Sequence, residues 1–127
     1  MADFFSDKTS MALHKSLDGA AFRHRVIADN IANVETPGFK RSNVVFEEKL
    51  KNALSSDTLQ MIESRIDGVE PEVEQDITSP SRPDGNNVSI DKEMADMTKN
   101  TMQYEAVVQL MNIRGAMIRT AITGGGR

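Results

Sequence analysis

The last third of the chain carries an apolar pattern too long for a compact domain. From Ile90 to Ile122 uncharged residues recur at alternating steps of four and three, the spacing of a and d positions in a heptad repeat. These 33 residues predict a helix about 50 Å long. We call this row the C-terminal seam, and its members are Ile90, Met94, Met97, Thr101, Tyr104, Val108, Met111, Gly115, Ile118 and Ile122.

A shorter row with the same spacing lies near the other end of the chain. This N-terminal seam consists of Leu13, Leu17, Ala20, His24, Ile27, Ile31 and Val34. We predict that the two seams pair as a coiled coil. The expected fold is therefore all-α, with an N-terminal coiled-coil helix in residues 1–35 and a C-terminal coiled-coil helix with a flexible tail in residues 89–127.

Turn and capping residues mark the ends of both predicted helices. Pro37 disfavours helical backbone at Thr36, and Pro37 followed by Gly38 suits a type II turn. Ser89 is the expected N-cap of the second helix, and the glycines at 124–126 are expected to end it and to supply the tail.

The middle of the chain, residues 36–88, has a different character. After the turn we expect a short extended piece at 44–46 and a helix of about two turns from Glu47 to Leu54. The stretch 55–87 holds three prolines and eight acidic residues with only scattered apolar ones. This composition predicts an irregular, mobile loop.

Both terminal helices carry more apolar surface than one partner helix can cover. Large side chains flank the seams, and full burial of each is worth about 1.5–3 kcal/mol. We therefore expect the seams to serve an internal core and inter-subunit contacts together, with the helices folding fully only when subunits pack. The flanking residues are Phe22, Val26, Val107, Leu110, Met117 and Ala121.

Composition argues against catalysis and against several kinds of ligand. There is no cysteine, which excludes disulfides, Cys-ligated zinc and thiol nucleophiles. A net charge of −4 without a basic stripe argues against a nucleic-acid partner. His14 and His24 lack metal-ligand spacing, so we expect a partly buried, structural His24. We predict no enzyme activity, no cofactor, no metal and no small-molecule substrate, and neither a cleavable signal peptide nor a membrane span.

Residues 28–40 carry a specific resemblance. They read Ala-Asp-Asn-Ile-Ala-Asn-Val-Glu-Thr-Pro-Gly-Phe-Lys, and this resembles the N-terminal signature of the bacterial flagellar axial proteins, the rod and hook family. Asp29 departs mildly from the Asn usual there. Residues 84–123 are similar to the C-terminal helix of the small proximal-rod members. One of these members tends to have a few extra residues before its turn. Here Glu35 is followed directly by Thr36, so the chain resembles the other member more. The middle of the chain is not matched.

The resemblance implies a structural subunit of the basal-body rod, the drive shaft of the flagellum. It would assemble helically at the proximal end near the membrane ring and be needed for flagellum assembly and motility. Expected partners are copies of itself, other rod proteins, the rod-base adaptor and membrane ring, and the flagellar type III export apparatus. The last would deliver it to the periplasmic rod without a cleavable signal. The alternative is a chaperone-like coiled-coil module that clasps one partner helix.

The seams and the turn together give a predicted assembly interface. For Asn30 and Asn33, bonding to carbonyls or a neighbouring chain and ordinary helix termination remain equal alternatives. The predicted interface residues are Leu13, Leu17, Ile27, Asn30, Ile31, Asn33, Val34, Thr36, Pro37, Gly38, Phe39, Met94, Met97, Tyr104, Val108, Met111, Ile118 and Ile122.

Overall fold

A computed structural model describes residues 7–55 and 58–124. Two long helices at the ends enclose four short elements, so the prediction of a mainly helical chain with long terminal helices is confirmed, while coiled-coil pairing stays a prediction. None of the described helices has the length and apolarity needed to cross a lipid bilayer. In chain order the elements are α1 (Lys8–Ala32), β1 (Ser42–Val45), α2 (Glu47–Leu54), α3 (Leu59–Asp67), β2 (Glu72–Gln75) and α4 (Ile90–Thr123).

Helix α1 has a side-chain cap at its start and ends earlier than predicted. The Asp7 carboxylate accepts a hydrogen bond from the Ser10 amide at 2.9 Å, as N-cap side chains do. The helix ends at Ala32, so Val34 lies in the following turn and not on the helix. Asn33 closes the last turn, because its side-chain amide donates to the Asp29 carbonyl at 2.8 Å.

Helix α4 has the length that its pattern predicts. It runs for 34 residues after Ser89, whose side chain makes no capping hydrogen bond. It ends at Gly124, which has a φ of 74° and so occupies the left-handed region that glycine tolerates. The predicted flexible tail at 125–127 lies outside the described residues.

The middle segment is where the prediction of an irregular loop is wrong. The stretch 55–87 contains α3 and β2, and β2 pairs antiparallel with β1 so that Ser42 faces Gln75 and Val45 faces Glu72. Apolar residues three and four apart on α3 and just beyond it are buried against α2 and the residue before it. This cluster is the hydrophobic core: Phe46, Leu50, Ala53, Ile62, Ile66 and Val69.

Helix α1 lies between α4 on one side and the α2–α3 unit on the other. Because Gly19 has no side chain, the residue before α2 packs closely against α1. The Phe46 ring stands 2.5 Å from the point where a Cβ on Gly19 would lie. The Lys15 ammonium donates to the Val69 carbonyl at 3.2 Å, just after α3 ends. The two long helices therefore form a hairpin-like pair with the small core packed against only one of them.

Candidate assembly interface

Helices α1 and α4 run antiparallel, and three polar contacts fix their register. The Asn30 amide donates to Glu93 at 2.9 Å, and the Asn100 amide donates to the Ala20 carbonyl at 2.8 Å. Further along, Arg114 donates from Nε to the Ser10 hydroxyl at 3.0 Å and also forms an ion pair with Asp7. Polar groups thus recur along the whole length of the contact.

The side of α4 that faces α1 differs from the predicted C-terminal seam at alternate positions. Glu93, Asn100 and Arg114 are buried or half-buried, one residue before Met94, Thr101 and Gly115, which are exposed. Three other seam members, Ile90, Tyr104 and Ile122, are also exposed. Each of the three inward polar residues has a hydrogen-bond partner on α1, which explains why the inward side is displaced by one residue from the predicted seam at these positions. The observed contact stripe consists of the buried and half-buried residues of α4: Glu93, Asp96, Met97, Asn100, Val107, Val108, Met111, Arg114 and Ile118.

The N-terminal seam agrees better with the structure. Ala20 and Ile27 are buried, and the other apolar members are half-buried: Leu13, Leu17, Ile31 and Val34. His24 is exposed, so the prediction of a partly buried, structural histidine is wrong. A histidine at that position faces the open side of the helix pair.

One end of the helix pair holds a buried ionic cluster, which we call the polar base: Asn30, Arg41, Asp76, Asn87 and Glu93. Arg41 donates from Nε to Glu93 at 2.7 Å, and it also pairs with Asp96 at 3.2 Å and with Asp76 at 3.7 Å. Glu93 is completely buried, and its second oxygen accepts from Asn30. Since buried charges are tolerated only when paired and hydrogen-bonded, this cluster fixes how β1 meets both long helices.

Asp76 keeps its negative charge in this cluster. Hydrogen bonds from the Ser79 hydroxyl and backbone amide, with further ones from Thr78, hold the pKa of the Asp76 carboxyl well below its usual range. The Asp76 carbonyl also accepts from the Asn87 side chain at 2.6 Å. The carboxylate therefore remains available to Arg41 throughout the physiological pH range.

The turn at 36–39 is bound to the segment that precedes α4. The side-chain amide of Asn86, which is completely buried, donates to the carbonyls of Asn33, Val34 and Thr36 at 2.8–3.1 Å. The Gly38 amide donates to the Asp84 carbonyl at 2.8 Å. Gly38 has a φ of 73°, as the predicted Pro-Gly turn requires. Thr36, Pro37 and Gly38 are exposed, although these hydrogen bonds tie their backbone to the segment before α4.

The structure divides the predicted interface residues into internal and external ones. Asn30 has no exposed surface and bonds both the amide and the carbonyl of Ser42, so its partners lie within the subunit. Ile27 is only 4% exposed. Both residues therefore have an internal role in the subunit, and their contact with a neighbouring chain stays a prediction.

A second apolar row of α4 runs beside the contact stripe, on its solvent-exposed flank. Its members stand three or four residues apart, and its large side chains are 44–66% exposed. Within residues 7–55 and 58–124 nothing covers this row. An apolar face wider than one partner helix covers is typical of a helix that packs against more than one neighbour. We call this row the outer ridge, and it consists of Met102, Ala106, Leu110, Ile113 and Met117.

An open groove lies between α1 and α4 on the side away from the ridge. We call it the side groove; it has a volume of about 310 Å³ and is lined by Ala20, Ala21, His24, Asn100, Thr101 and Tyr104. A second crevice of about 550 Å³, between α1, α2 and α4, has mainly apolar walls that include Phe46, Leu50 and Val107. Across the described parts of the chain, no three His, Asp or Glu residues converge to hold a metal ion.

Paired terminal helices and a long uncovered apolar row are typical of helical proteins that assemble with neighbouring chains. Residues 21–40, which end in the rigid turn, match the model of a family described as "Flagella basal body rod protein". The chain is 41% identical to flagellar basal body rod protein FlgB of Borrelia hermsii over 105 residues, which cover 72% of the chain and 78% of that relative.

Two further relatives extend the match across nearly the whole chain. FlgB of Bacillus subtilis is 33% identical over 123 residues, covering 92% of the chain and 95% of the relative. FlgB of Escherichia coli K12 is 28% identical, with 87% and 94% covered. The chain therefore belongs to the FlgB family of flagellar basal body rod proteins. It is a structural component of the basal body, assembles with other rod components, and is not an enzyme.

Proposed function

We propose that this chain forms the wall of the rod at its proximal end, near the membrane ring, where subunits pack helically into a drive shaft. The observation that carries this proposal is the outer ridge, since its large side chains are 44–66% exposed in a single subunit. Burial of each against a neighbour would contribute about 1.5–3 kcal/mol. The ridge thus supplies the free energy for lateral association.

The mechanical part of the proposal rests on the two long helices and the polar base. A continuous 34-residue helix resists bending, because every interior turn is hydrogen-bonded. The paired charges around Arg41 hold β1 and the turn at a fixed angle to that helix. Torque applied at the turn would then pass along α4 without a hinge. This rigidity suits a shaft that is needed for flagellum assembly and motility.

The exposed turn at 36–39 and the half-buried members of the predicted interface are proposed to contact neighbours. Leu13, Leu17, Ile31 and Asn33 are half-buried, so part of each residue stays accessible to an adjacent subunit. The proposed neighbours are copies of this chain, other rod proteins, the rod-base adaptor and the membrane ring. We further propose delivery to the periplasm in unfolded form by the flagellar type III export apparatus.

Substitution on the ridge tests the proposal. Replacing Ile113 and Met117 together with Asp should leave the circular dichroism spectrum of the subunit unchanged, because both side chains are exposed. Swimming should be lost and rods should be missing from isolated basal bodies. The matched control changes Thr98 and Asn112, exposed polar residues elsewhere on α4, to Asp and should swim normally. Normal swimming by the ridge variant would refute the proposal.

Light scattering on the purified chain separates a rod subunit from a module that clasps one partner helix. A rod subunit should form species that grow with concentration, because each added copy presents a new ridge. A clasping module should instead reach a complex of fixed stoichiometry with its partner. A monomer that stays unchanged at high concentration would count against the rod-wall proposal.

A further inference from the structure

The backbone groups of the two-stranded sheet point alternately toward the partner strand and outward. The Asp76 amide donates to the Arg41 carbonyl at 2.9 Å, just beyond the end of the β1–β2 register, so the backbone of this pair points toward the partner strand. In an antiparallel pair such positions alternate with positions whose amides and carbonyls point away from the partner. The outward residues are Ser42 and Val44 on β1 and Val73 and Gln75 on β2.

Helix α1 covers the outward edge of β1. The Asn30 side chain accepts from the Ser42 amide and donates to the Ser42 carbonyl, both at 2.9 Å. Arg23 of the same helix donates to the Val44 carbonyl at 3.5 Å. This edge of the sheet is therefore closed within the subunit.

The outward edge of β2, which we call the open edge, has no such cover. All four residues of the strand are exposed, Val73 by 45%. Within residues 7–55 and 58–124, no group bonds the outward amides and carbonyls of Val73 and Gln75. A free edge of this kind pairs readily with another extended chain. We propose that the open edge binds an extended segment of a partner protein, which adds a third strand to the sheet.

The charge around the open edge determines the chemistry of that segment. Residues 66–81 contain five acidic residues and no basic one. Glu72 pairs with Lys49 of α2, whereas Glu74 is exposed and forms no salt bridge within the described parts of the chain. Opposite charges that face each other across two strands are stabilising. The partner segment should therefore place Lys or Arg opposite Glu74 and an apolar residue opposite Val73.

A second β2 strand fits the open edge poorly. If two copies paired antiparallel through their open edges, outward residues would face outward residues, and the residues between them would face each other. Glu72 and Glu74 of one copy would then lie opposite acidic residues of the other in every register, because positions 70, 72, 74 and 76 are all acidic. Like charges directly opposite each other are destabilising. The charge pattern therefore favours a different protein with a basic extended segment.

Fluorescence anisotropy with a synthetic peptide tests this inference. The probe is a hexapeptide in which Lys and Val alternate, with a dye at its amino terminus. The purified full chain is titrated into it at about 0.15 M salt, which screens non-specific attraction. A second probe has the same side chains but N-methylated backbone amides. Because it cannot donate to the Val73 and Gln75 carbonyls, we expect it to bind at least about tenfold more weakly.

Two substitutions in β2 test the backbone and the charge separately. Gln75→Pro removes an outward amide without removing a hydrogen bond to β1, so it should lower the affinity for the basic peptide about fivefold. Its matched control, Gln75→Ala, keeps the amide and should bind like the unaltered chain. Glu74→Lys should weaken binding of the basic peptide and strengthen binding of a matched peptide in which Glu and Val alternate. Circular dichroism checks that each variant keeps the fold.

Three results would overturn the inference. Equal binding of the methylated and unmethylated basic peptides would show a purely electrostatic contact without strand addition. Concentration-dependent protection of the Val73 and Gln75 amides from hydrogen exchange in the chain alone would assign the open edge to a second copy. No binding of the basic peptide would remove the partner altogether, and it would leave the rod-wall proposal intact because the outer ridge takes no part in this contact.

Discussion

The two ends of the α1–α4 pair are built from opposite kinds of interaction. At the polar base, Arg41 and Glu93 are at most 3% exposed and every bond is directed to a named partner. At the far end of α4, Met117 and Ile122 are 66% and 72% exposed. Charged hydrogen bonds fix an angle, whereas apolar burial is non-directional and proportional to area. Internal geometry and association are therefore assigned to different regions of one helix.

Removal of Arg41 at the polar base should have the largest effect on the stability of the subunit. Arg41→Ala leaves the buried Glu93 carboxylate without its cation beside Asp76 and Asp96, and we expect a loss of about 3–5 kcal/mol in the free energy of unfolding. Urea denaturation measures it. The exposed Arg65 on α3 provides the control, and Arg65→Ala should change stability by no more than about 0.5 kcal/mol. Equal stability of the two variants would show that the polar base does not hold the fold.

Hydrogen exchange on the isolated subunit should reveal the next largest difference. Amides of α4 near Glu93 and Asn100 should open only with the whole fold, while amides after Met117 should open locally. We expect the protection to differ by about 3 kcal/mol, more than about a hundredfold in exchange rate. Mass spectrometry of peptides from the two halves of α4 measures it. Uniform protection along the helix would mean that the exposed end needs no neighbour.

Replacing two helical glycines with alanine should give smaller effects on stability, and these effects should be opposite in sign. Gly19→Ala places a Cβ 2.5 Å from the Phe46 ring and should destabilise the subunit by about 1–3 kcal/mol. Gly115→Ala, with nothing within 4 Å, should instead stabilise α4 by about 0.5–1 kcal/mol. Thermal melts of both variants compare the packed and the open region directly. The comparison fails if both substitutions shift the melting temperature in the same direction.

The smallest effect concerns the cap of α1. Partial desolvation raises the pKa of Asp7, but hydrogen bonds from Ser10 and the charge of Arg114 outweigh it, so this pKa lies below its usual value. The carboxylate therefore stabilises the fold fully above about pH 4, and this stabilisation is lost as the pH falls through the lowered pKa. Asp7→Asn keeps a good N-cap and should flatten the stability profile below pH 4. Unchanged acid sensitivity would contradict this.

The sequence predicted the elements whose signals are local. The α4 pattern is long, Gly124 ends it, and the Pro37–Gly38 turn has the expected positive φ at glycine. Helix α2 also appears where good helix formers are concentrated. The α3 helix was missed because the acidic residues and prolines of this stretch favoured the prediction of a loop. The spacing of four between Ile62 and Ile66 was the available helix signal.

Features that depend on distant partners could not be predicted. All four residues of β2 are exposed, so their pattern gives no strand signal, and only backbone pairing with β1 defines the strand. Asn100 faces inward in place of Thr101 because its amide reaches the Ala20 carbonyl, a contact across 80 positions of sequence. A heptad pattern assigns inward positions by side-chain polarity alone. It takes no account of hydrogen-bond partners that distant parts of the chain supply.

The close approach of Gly38 and Gly85 has a topological consequence. Their backbones come so near that a Cβ on Gly85 would stand 3.3 Å from the Gly38 Cα, so the chain leaves the helix pair and returns to it at a single point. The segment between these two glycines therefore begins and ends at one place, although Phe46 and Arg41 also attach it to the long helices. Extra length in its exposed parts would add little closure entropy, because that cost grows only with the logarithm of loop length. The axis of the two long helices would stay in place.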